Sequence, residues 1–302
     1  MCPGCRALVE PADAICPYCG WNLEITDVRR RGGLVERALR PVGGVVPTLV
    51  FANVLLAVIA AALPLVLLRR GGESAKDPVA MLIDGVMMPR GGVLSLLGSV
   101  TPGAILRNHE VWRLLPSVFL HFGILHIAMN MMSLWNIGRL VEEAFGGGKA
   151  LALYLLTGIA AVAASVGWYW IRRRTGGHPT EFNMAGASGA ICGYAGLLAA
   201  LGFRIGGEEG KRLWTSMVKP VAFLLVLGFV LEYSNAGFRL ANAAHAGGFL
   251  AGLGAGFLCT FGIRARGRPG AVRAWDIAAI VLSAATVASF VPPAMAILKV
   301  GR

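Results

Sequence analysis

One serine and one histidine lie in apolar stretches, where polar side chains are costly to bury. Ser188 stands in Gly186-Ala187-Ser188-Gly189, which opens an apolar run that continues to about Phe203. His245 lies in a later apolar run. A serine hydroxyl becomes a nucleophile when a base takes its proton, and histidine is the usual base at neutral pH. We expect no carboxylate in the late spans to orient the imidazole. The pattern therefore predicts a Ser188–His245 dyad without a metal or other cofactor.

The glycines beside both residues allow a second interpretation. Gly248, Gly252 and Gly256 recur every four residues after His245. Small residues at this spacing let membrane helices approach closely, so the serine motif could also serve packing. An ionisable side chain within a membrane helix marks function by default, however. The histidine therefore favours the chemical interpretation.

A third polar group precedes the dyad in the chain. His126 and Asn130 are four residues apart and share one face of a helix, and His121 lies shortly before them. With the backbone N–H of Ser188, these two side chains could donate to the oxyanion of a tetrahedral intermediate. A zinc site at His121 and His126, or a proton path, is the alternative. No third ligand has matching spacing.

Composition defines the elements that must position these groups. The chain has 302 residues, of which 56% are hydrophobic and 15% charged, and its mean hydropathy is +0.66. Soluble domains have about 25% charged residues, so we predict an all-α polytopic membrane protein in contact with the lipid bilayer. The net charge of +12 comes from arginines between the apolar runs. Because no basic stripe with interleaved aromatic residues is present, nucleic-acid binding is disfavoured.

Apolar runs predict seven spans, six in a core and one at the carboxyl end. Their ranges are 47–68, 117–140, 150–171, 184–203, 220–235, 239–263 and 275–298. The connection 69–116 is too polar to span, and its segments 79–88 and 93–106 are predicted as surface helices. The Pro292-Pro293 pair predicts a kink in the last span.

The first 24 residues form a separate unit. Cys2 and Cys5 make one Cys-x-x-Cys knuckle, and Cys16 and Cys19 make another. Four thiolates complete a closed tetrahedral zinc site, so residues 1–24 are predicted as a structural zinc ribbon that could bind a cytoplasmic partner. Two disulfides are the alternative. Residues 25–46 are predicted as a basic linker with an amphipathic segment, ahead of a membrane domain at 47–302.

The arginines also bear on orientation. Arg29, Arg30 and Arg31 precede the first span and favour a cytoplasmic amino terminus. The cluster Arg172-Arg173-Arg174 after the third span argues the other way. On balance we expect an integral protein of a prokaryotic plasma (inner) membrane, with the dyad opening to the outer face.

From Pro47 onward the chain resembles the rhomboid intramembrane serine proteases. The matching elements are Trp112-Arg113, His121, His126-x-x-x-Asn130, Glu142, Gly186 and Gly189 around Ser188, and His245 with Gly248 and Gly252. The resemblance implies a bundle of six core helices plus one. It also implies that Ser188 is the nucleophile, that His245 is the base, and that His126, Asn130 and the Ser188 amide form the oxyanion hole. Trp112 and Arg113 would brace the first loop. The implied substrates are membrane proteins cleaved in or near a transmembrane segment.

One departure from the family pattern concerns the dyad. In the family an aromatic residue commonly follows the serine by one turn and stacks on the catalytic imidazole, but this chain has Cys192 there. Tyr194 lies two residues further and faces elsewhere on the helix. His245 must then be held by something else or less firmly. The alternative function is a non-catalytic rhomboid-like protein that binds client helices, but such family members typically lack the serine or the histidine, and this chain keeps both.

Overall fold

The computed structural model describes residues 33–70, 77–177, 182–234, 241–261 and 269–299. The predicted zinc ribbon, with Cys2, Cys5, Cys16 and Cys19, and most of the basic linker lie outside these residues. The helices are α1 Leu34–Leu39, α2 Val45–Arg70, α3 Pro78–Met87, α4 Gly91–Leu97, α5 Pro102–Leu106, α6 Ile124–Phe145, α7 Gly147–Arg174, α8 Ser188–Ile205, α9 Gly207–Tyr233, α10 Asn242–Phe261, α11 Pro269–Ala288 and α12 Val291–Lys299. Two 3₁₀ turns, Val111–Leu114 and Pro116–Phe119, precede α6.

Several helix bounds differ from the predicted spans for local reasons. Helix α6 begins at Ile124 rather than near residue 117, because Gly123 adopts a φ of 127° and breaks the chain direction. Helix α8 begins at Ser188 rather than at residue 184, because Met184 pairs with Val100 as an isolated bridge. Helix α9 begins 13 residues before Pro220, which it accommodates internally.

Length and composition allow five of the helices in the described part of the chain to cross a membrane, or up to seven spans if two bent helix pairs each count as one. The bent pairs are α3 with α4, at 72°, and the turns over 111–119 with α6, at 84°. The five are α2, α7, α8, α9 and the segment Arg273–Lys299, which combines most of α11 with α12; α10 is not among them. The count of seven spans stays a prediction.

Helix α8 is the central element of the bundle. In its apolar stretch 72% of the residues are buried inside the protein, whereas α9 has 17% and faces outward. Helices α6, α7, α9 and α10 surround α8. Ser188 is therefore the first residue of a helix that four neighbouring helices hold in place.

Helices α8 and α10 approach until their backbones touch. A Cβ atom added to Gly248 would lie 2.1 Å from the carbonyl oxygen of Gly189, and one added to Gly252 would lie 1.9 Å from that of Gly193. Only glycine permits this separation, since real Cβ atoms do not approach so closely. The four-residue glycine spacing thus sets the distance between the helix that carries the serine and the helix that carries the histidine.

Carboxylates hold the amino-terminal segment against the bundle. Glu142 accepts hydrogen bonds from the N–H groups of Val45 (2.8 Å) and Val46 (3.1 Å), the first residues of α2. Asp276, buried in α11, accepts one from the N–H of Leu34 at 2.6 Å. Because the first N–H groups of a helix lack intrahelical partners, each carboxylate satisfies donors that would otherwise be left unpaired.

Candidate active site

The approach to Ser188 is fixed by backbone hydrogen bonds. Val100 and Met184 exchange two, at 2.9 and 2.7 Å, and the N–H of Gly186 donates to the Ser117 carbonyl at 2.9 Å. The first intrahelical bond of α8 runs from the Ile191 N–H to the Ala187 carbonyl. The Ser188 N–H therefore precedes the helical ladder and lies at the positive end of the helix dipole.

His245 lies directly against Ser188. Its Nε2 atom is 2.9 Å from the Ser188 Oγ atom, within hydrogen-bonding distance. His245 is 4% exposed, so its imidazole is shielded from bulk water. The apposition follows from the close approach of α8 and α10, because Gly248 packs on Gly189 one residue beyond the serine.

No carboxylate orients the histidine among the residues that the structure describes. The Nδ1 atom of His245 is buried without a hydrogen-bond partner there. Four acidic residues do occur in the later described helices, namely Glu208, Glu209, Glu232 and Asp276, but none of them bonds to His245 Nδ1. Glu232 lies 3.8 Å from Arg172, and Asp276 accepts the Leu34 N–H. The arrangement is therefore a serine–histidine pair rather than a triad.

His126 and Asn130 face the same small space as Gly186. The φ of Gly186 is 138°, and a Cβ atom there would lie 3.1 Å from His126 Nε2 and 3.8 Å from Asn130 Nδ2. The Phe122 N–H donates to His126 Nδ1 at 3.3 Å. An imidazole that accepts at Nδ1 in its neutral form has its proton on Nε2. Both side chains can therefore present N–H donors to the space beside Ser188.

Cys192, which stands where the family commonly has an aromatic residue, and Tyr194, two residues further along α8, are both buried. Cys192 is 5% exposed and belongs to the main hydrophobic core. The Tyr194 hydroxyl donates to the Ala150 carbonyl of α7 at 2.6 Å, so this ring points away from His245. Within the described residues, no aromatic ring stacks on His245. The close contact of α8 and α10 positions the imidazole instead.

His121 and the first-loop motif surround the site without touching the dyad. The His121 ring packs edge-on against His126, with 5.1 Å between centroids, and its Nδ1 lies 3.3 Å from the Phe119 carbonyl. No group of three or more His, Cys, Asp or Glu side chains that could hold a metal is found in the described part of the chain. The zinc alternative for His121 and His126 thus has no third ligand there.

Trp112 and Arg113 connect the parts of the first loop. The Arg113 guanidinium pairs with Glu110, donates to the carbonyls of Ser95 and Ser99, and lies over the Trp112 ring at 4.5 Å. These contacts link α4 to the turn before α6. The motif therefore braces the loop, and neither side chain reaches Ser188.

Several positioning contacts could not have been found from residue types. The Ser117 carbonyl, the Phe122 N–H and the Val100–Met184 bridge all act through backbone atoms. Backbone groups are the same in every residue, so the sequence carries no signal for them. They nevertheless orient Gly186, His126 and the entry to α8.

Comparison with known proteins places the chain in a family. The family model described as Rhomboid domain matches residues 108–261, about half of the chain, which include Ser188 and His245. The chain therefore belongs to the rhomboid family.

Curated relatives support the same grouping. The chain is 32% identical to the rhomboid protease GluP of Bacillus subtilis over 149 residues, 49% of this chain and 26% of that protein. It is 30% identical to RHOMBOID-like protein 1 of Arabidopsis thaliana over 194 residues, 62% of this chain and 44% of that protein. It is 28% identical to the rhomboid protease GlpG of Salmonella paratyphi A over 181 residues, 57% of this chain and 60% of that protein. The matches thus span from about a quarter to three fifths of these relatives.

Proposed function

We propose that this protein is an intramembrane serine endopeptidase that cleaves membrane proteins in or near a transmembrane segment. The observation that carries the proposal is the 2.9 Å separation of Ser188 Oγ and His245 Nε2. The names of the relatives support it, since GluP and GlpG are both described as rhomboid proteases.

Ser188 and His245 can perform acyl transfer in two steps, acylation of the serine and hydrolysis of the acyl-enzyme. His245 Nε2 takes the Oγ proton of Ser188 while Oγ attacks the scissile carbonyl carbon. The resulting tetrahedral intermediate collapses, and His245 gives that proton to the leaving amine as the C–N bond breaks. The acyl-enzyme is then hydrolysed by a water whose proton passes to His245 and back to Ser188 Oγ.

The negative charge of the tetrahedral intermediate would develop beside Gly186. The donors available there are His126 Nε2–H, the Asn130 amide and the Ser188 N–H. Donors preorganised in a water-poor site stabilise an oxyanion by about 3–4 kcal/mol each. The missing Cβ of Gly186 leaves the space that this oxygen needs. We therefore assign these three groups to the oxyanion hole.

The absence of a carboxylate partner affects how His245 works. The imidazolium formed in the first step has no described anion at Nδ1 to stabilise it. The oxyanion beside it is then the nearest negative charge, and the pair of charges forms and disappears together. The position of the imidazole ring must therefore compensate for the missing carboxylate. The close contact of α8 and α10 fixes that position.

A serine-directed fluorophosphonate tests this function against the client-binding alternative. The purified protein in detergent should be labelled at one residue, Ser188, because only an activated hydroxyl displaces fluoride readily. His245→Ala should reduce the labelling rate at least about a hundredfold. Ser289→Ala, at a buried serine in the turn after α11, serves as the control and should label like the wild type. Absence of labelling in the wild type would favour the non-catalytic alternative.

We propose the following orientation for the membrane-bound protein. It resides in a prokaryotic plasma (inner) membrane, its amino terminus is cytoplasmic and Ser188 opens to the outer face. The arginines before the first span support this orientation. Protease treatment of sealed inner-membrane vesicles of known sidedness tests it, since a tag at Met1 protected in right-side-out vesicles and cleaved in inverted ones is the expected result. The reverse pattern would contradict it.

We further propose that Cys2, Cys5, Cys16 and Cys19 bind one structural zinc ion, and that residues 1–24 contact a cytoplasmic partner. The two Cys-x-x-Cys knuckles support this proposal, since four thiolates form a closed site. Elemental analysis should find one zinc per chain in the wild type and none after Cys16→Ser. Retention of zinc in that variant would exclude this ligand set.

Deletion of residues 1–24 should spare cleavage of a minimal substrate but alter the proteins captured with the enzyme.

A further inference from the structure

The basic cluster at the carboxyl end of α7 is the sequence feature that the protease proposal leaves unexplained. Arg172, Arg173 and Arg174 argue against the orientation that the other arginines favour. Their placement shows that they do not act as one group. Arg172 lies 3.8 Å from Glu232 of α9, while Arg173 and Arg174 line a pocket on another side of the helix.

This pocket lies between α7 and the short helix α5 of the first loop. Its volume is about 350 Å³. The lining residues that concern us are Leu106, Arg107, Tyr169, Trp170, Arg173 and Arg174. Three guanidinium groups from two separate elements therefore converge on one concave surface. Among the residues that the structure describes, none that lines the pocket carries a carboxylate.

The aromatic residues give the pocket a second character. The Arg174 guanidinium stacks on the Trp170 ring, with 4.8 Å between Cζ and the ring centroid. Stacking holds the plane of the guanidinium and therefore limits the directions in which its N–H groups can donate. Tyr169 is buried, and Trp170 and Leu106 are 47% and 39% exposed. Tryptophan and tyrosine at the end of a spanning helix lie at the depth of lipid headgroups. The pocket thus combines cationic donors with apolar surface at that depth.

A simpler explanation covers only part of this arrangement. Cations at a helix carboxyl terminus offset the helix dipole, and that would account for Arg173 and Arg174 on α7. It accounts poorly for Arg107, the C-cap residue of α5, because a helix of five residues has only a small dipole, and Arg107 lines the same pocket. It also does not account for the apolar wall.

We infer that this pocket binds the phosphate group of an anionic phospholipid, with the acyl chains lying along the exposed side of α7. Guanidinium groups bind phosphate oxygens in a planar, bidentate geometry. Trp170 and Ile171, 47% and 45% exposed, offer the adjoining apolar surface. Arg173 and Arg174 then lie at this end of α7 because they bind a ligand, and they carry no information about the orientation of the protein in the membrane. The same guanidinium chemistry would also accept free phosphate, which the experiment separates.

A ligand in this pocket would connect two elements that already pack together. Ile105 and Leu114 of the first loop contact a cluster formed by Val162 and Val166 of α7. The same cluster includes Val100 and Met184, which form the bridge ahead of Ser188. Binding should therefore stabilise the first loop against α7 and raise the unfolding temperature of the whole protein.

The test compares two variants that each lose two positive charges. Arg107→Gln/Arg173→Gln removes pocket guanidiniums from both elements. Arg139→Gln/Arg212→Gln is the control, with Arg139 stacked on Trp135 of α6 at 4.6 Å, away from the pocket. The full-length protein in a neutral detergent is titrated with dihexanoyl phosphatidylglycerol, dihexanoyl phosphatidylcholine and inorganic phosphate, and binding is measured by calorimetry. The unfolding temperature without lipid reports whether each variant is folded.

The wild type and the control should bind phosphatidylglycerol at least tenfold more tightly than phosphatidylcholine. The pocket variant should bind phosphatidylglycerol at least tenfold more weakly than the control. Equal binding by the two variants, or equal binding of the two lipids, would overturn the inference. If inorganic phosphate binds the wild type as tightly as phosphatidylglycerol and is lost in the pocket variant, the ligand is free phosphate and the lipid assignment is wrong. These readouts do not depend on proteolysis, so they can fail or succeed separately from the protease proposal.

Discussion

Ser188→Ala is expected to lower cleavage of a membrane-anchored substrate by at least about a thousandfold, because the covalent route through the acyl-enzyme is lost. The substitution removes one oxygen atom at the first residue of α8 and leaves the backbone N–H in place. The unfolding temperature should therefore change little. The measurement is the initial rate of cleavage of a single-span test protein in liposomes, followed by the appearance of its fragments.

A graded series around Ser188 shows whether the loss is chemical. Asn130→Ala should slow cleavage by about a hundredfold, since it removes one of three proposed oxyanion donors. Ser289→Ala, which deletes a buried hydroxyl outside the site, should cleave like the wild type. Cleavage by Ser188→Ala at a rate near that of the wild type would refute the assignment of the nucleophile.

Gly252→Ala is expected to separate α8 from α10 and to weaken both folding and cleavage. Its new Cβ atom would lie 1.9 Å from the Gly193 carbonyl oxygen, so the backbones must move apart by more than 1 Å. A displacement of about 1 Å at a catalytic pair can slow a reaction about a hundredfold. We expect that loss in the liposome assay, together with a lower unfolding temperature in detergent.

The same helix offers a matched control two residues further. Gly254 has no atom within 4 Å of the position where its Cβ would be placed. Gly254→Ala should therefore keep full activity, and its better helix propensity should raise stability by up to about 1 kcal/mol. If both substitutions behaved alike, the glycine contact between α8 and α10 would not be what positions His245.

The sequence was most informative where polar residues stand within apolar helices. Ser188, His245, His126 and Asn130 could be singled out as candidates because polar side chains are rare and costly in apolar helices, and the structure brings Ser188 and His245 together. The glycine spacing after His245 predicted a close helix contact, and the structure has it at Gly248 and Gly252. Chemistry and packing at these positions depend on side-chain type, which is what a sequence records.

The helix bounds were less predictable because they depend on the backbone. The start of α8 at Ser188 follows from the Val100–Met184 bridge, a pairing between segments far apart in the chain. The extension of α9 to Gly207 includes charged residues that hydropathy assigned to a loop. The break of the last predicted span into α11 and α12 falls beside Pro292-Pro293, where a kink was expected.

The hydrogen bond between Asp276 and the Leu34 N–H joins the two segments that flank the rhomboid domain. Asp276 also fills the space beside Gly33 and Gly148, where a Cβ atom would lie within 2.5 Å of its carboxylate oxygens. Removing α11 and α12 from the chain would leave the start of α1 without this acceptor and open that space to solvent. Faster amide exchange at Leu34 would report the change. The carboxyl-terminal helices therefore help to hold the start of α1 in place, so a truncation at one end of the described structure also has an effect at the other end.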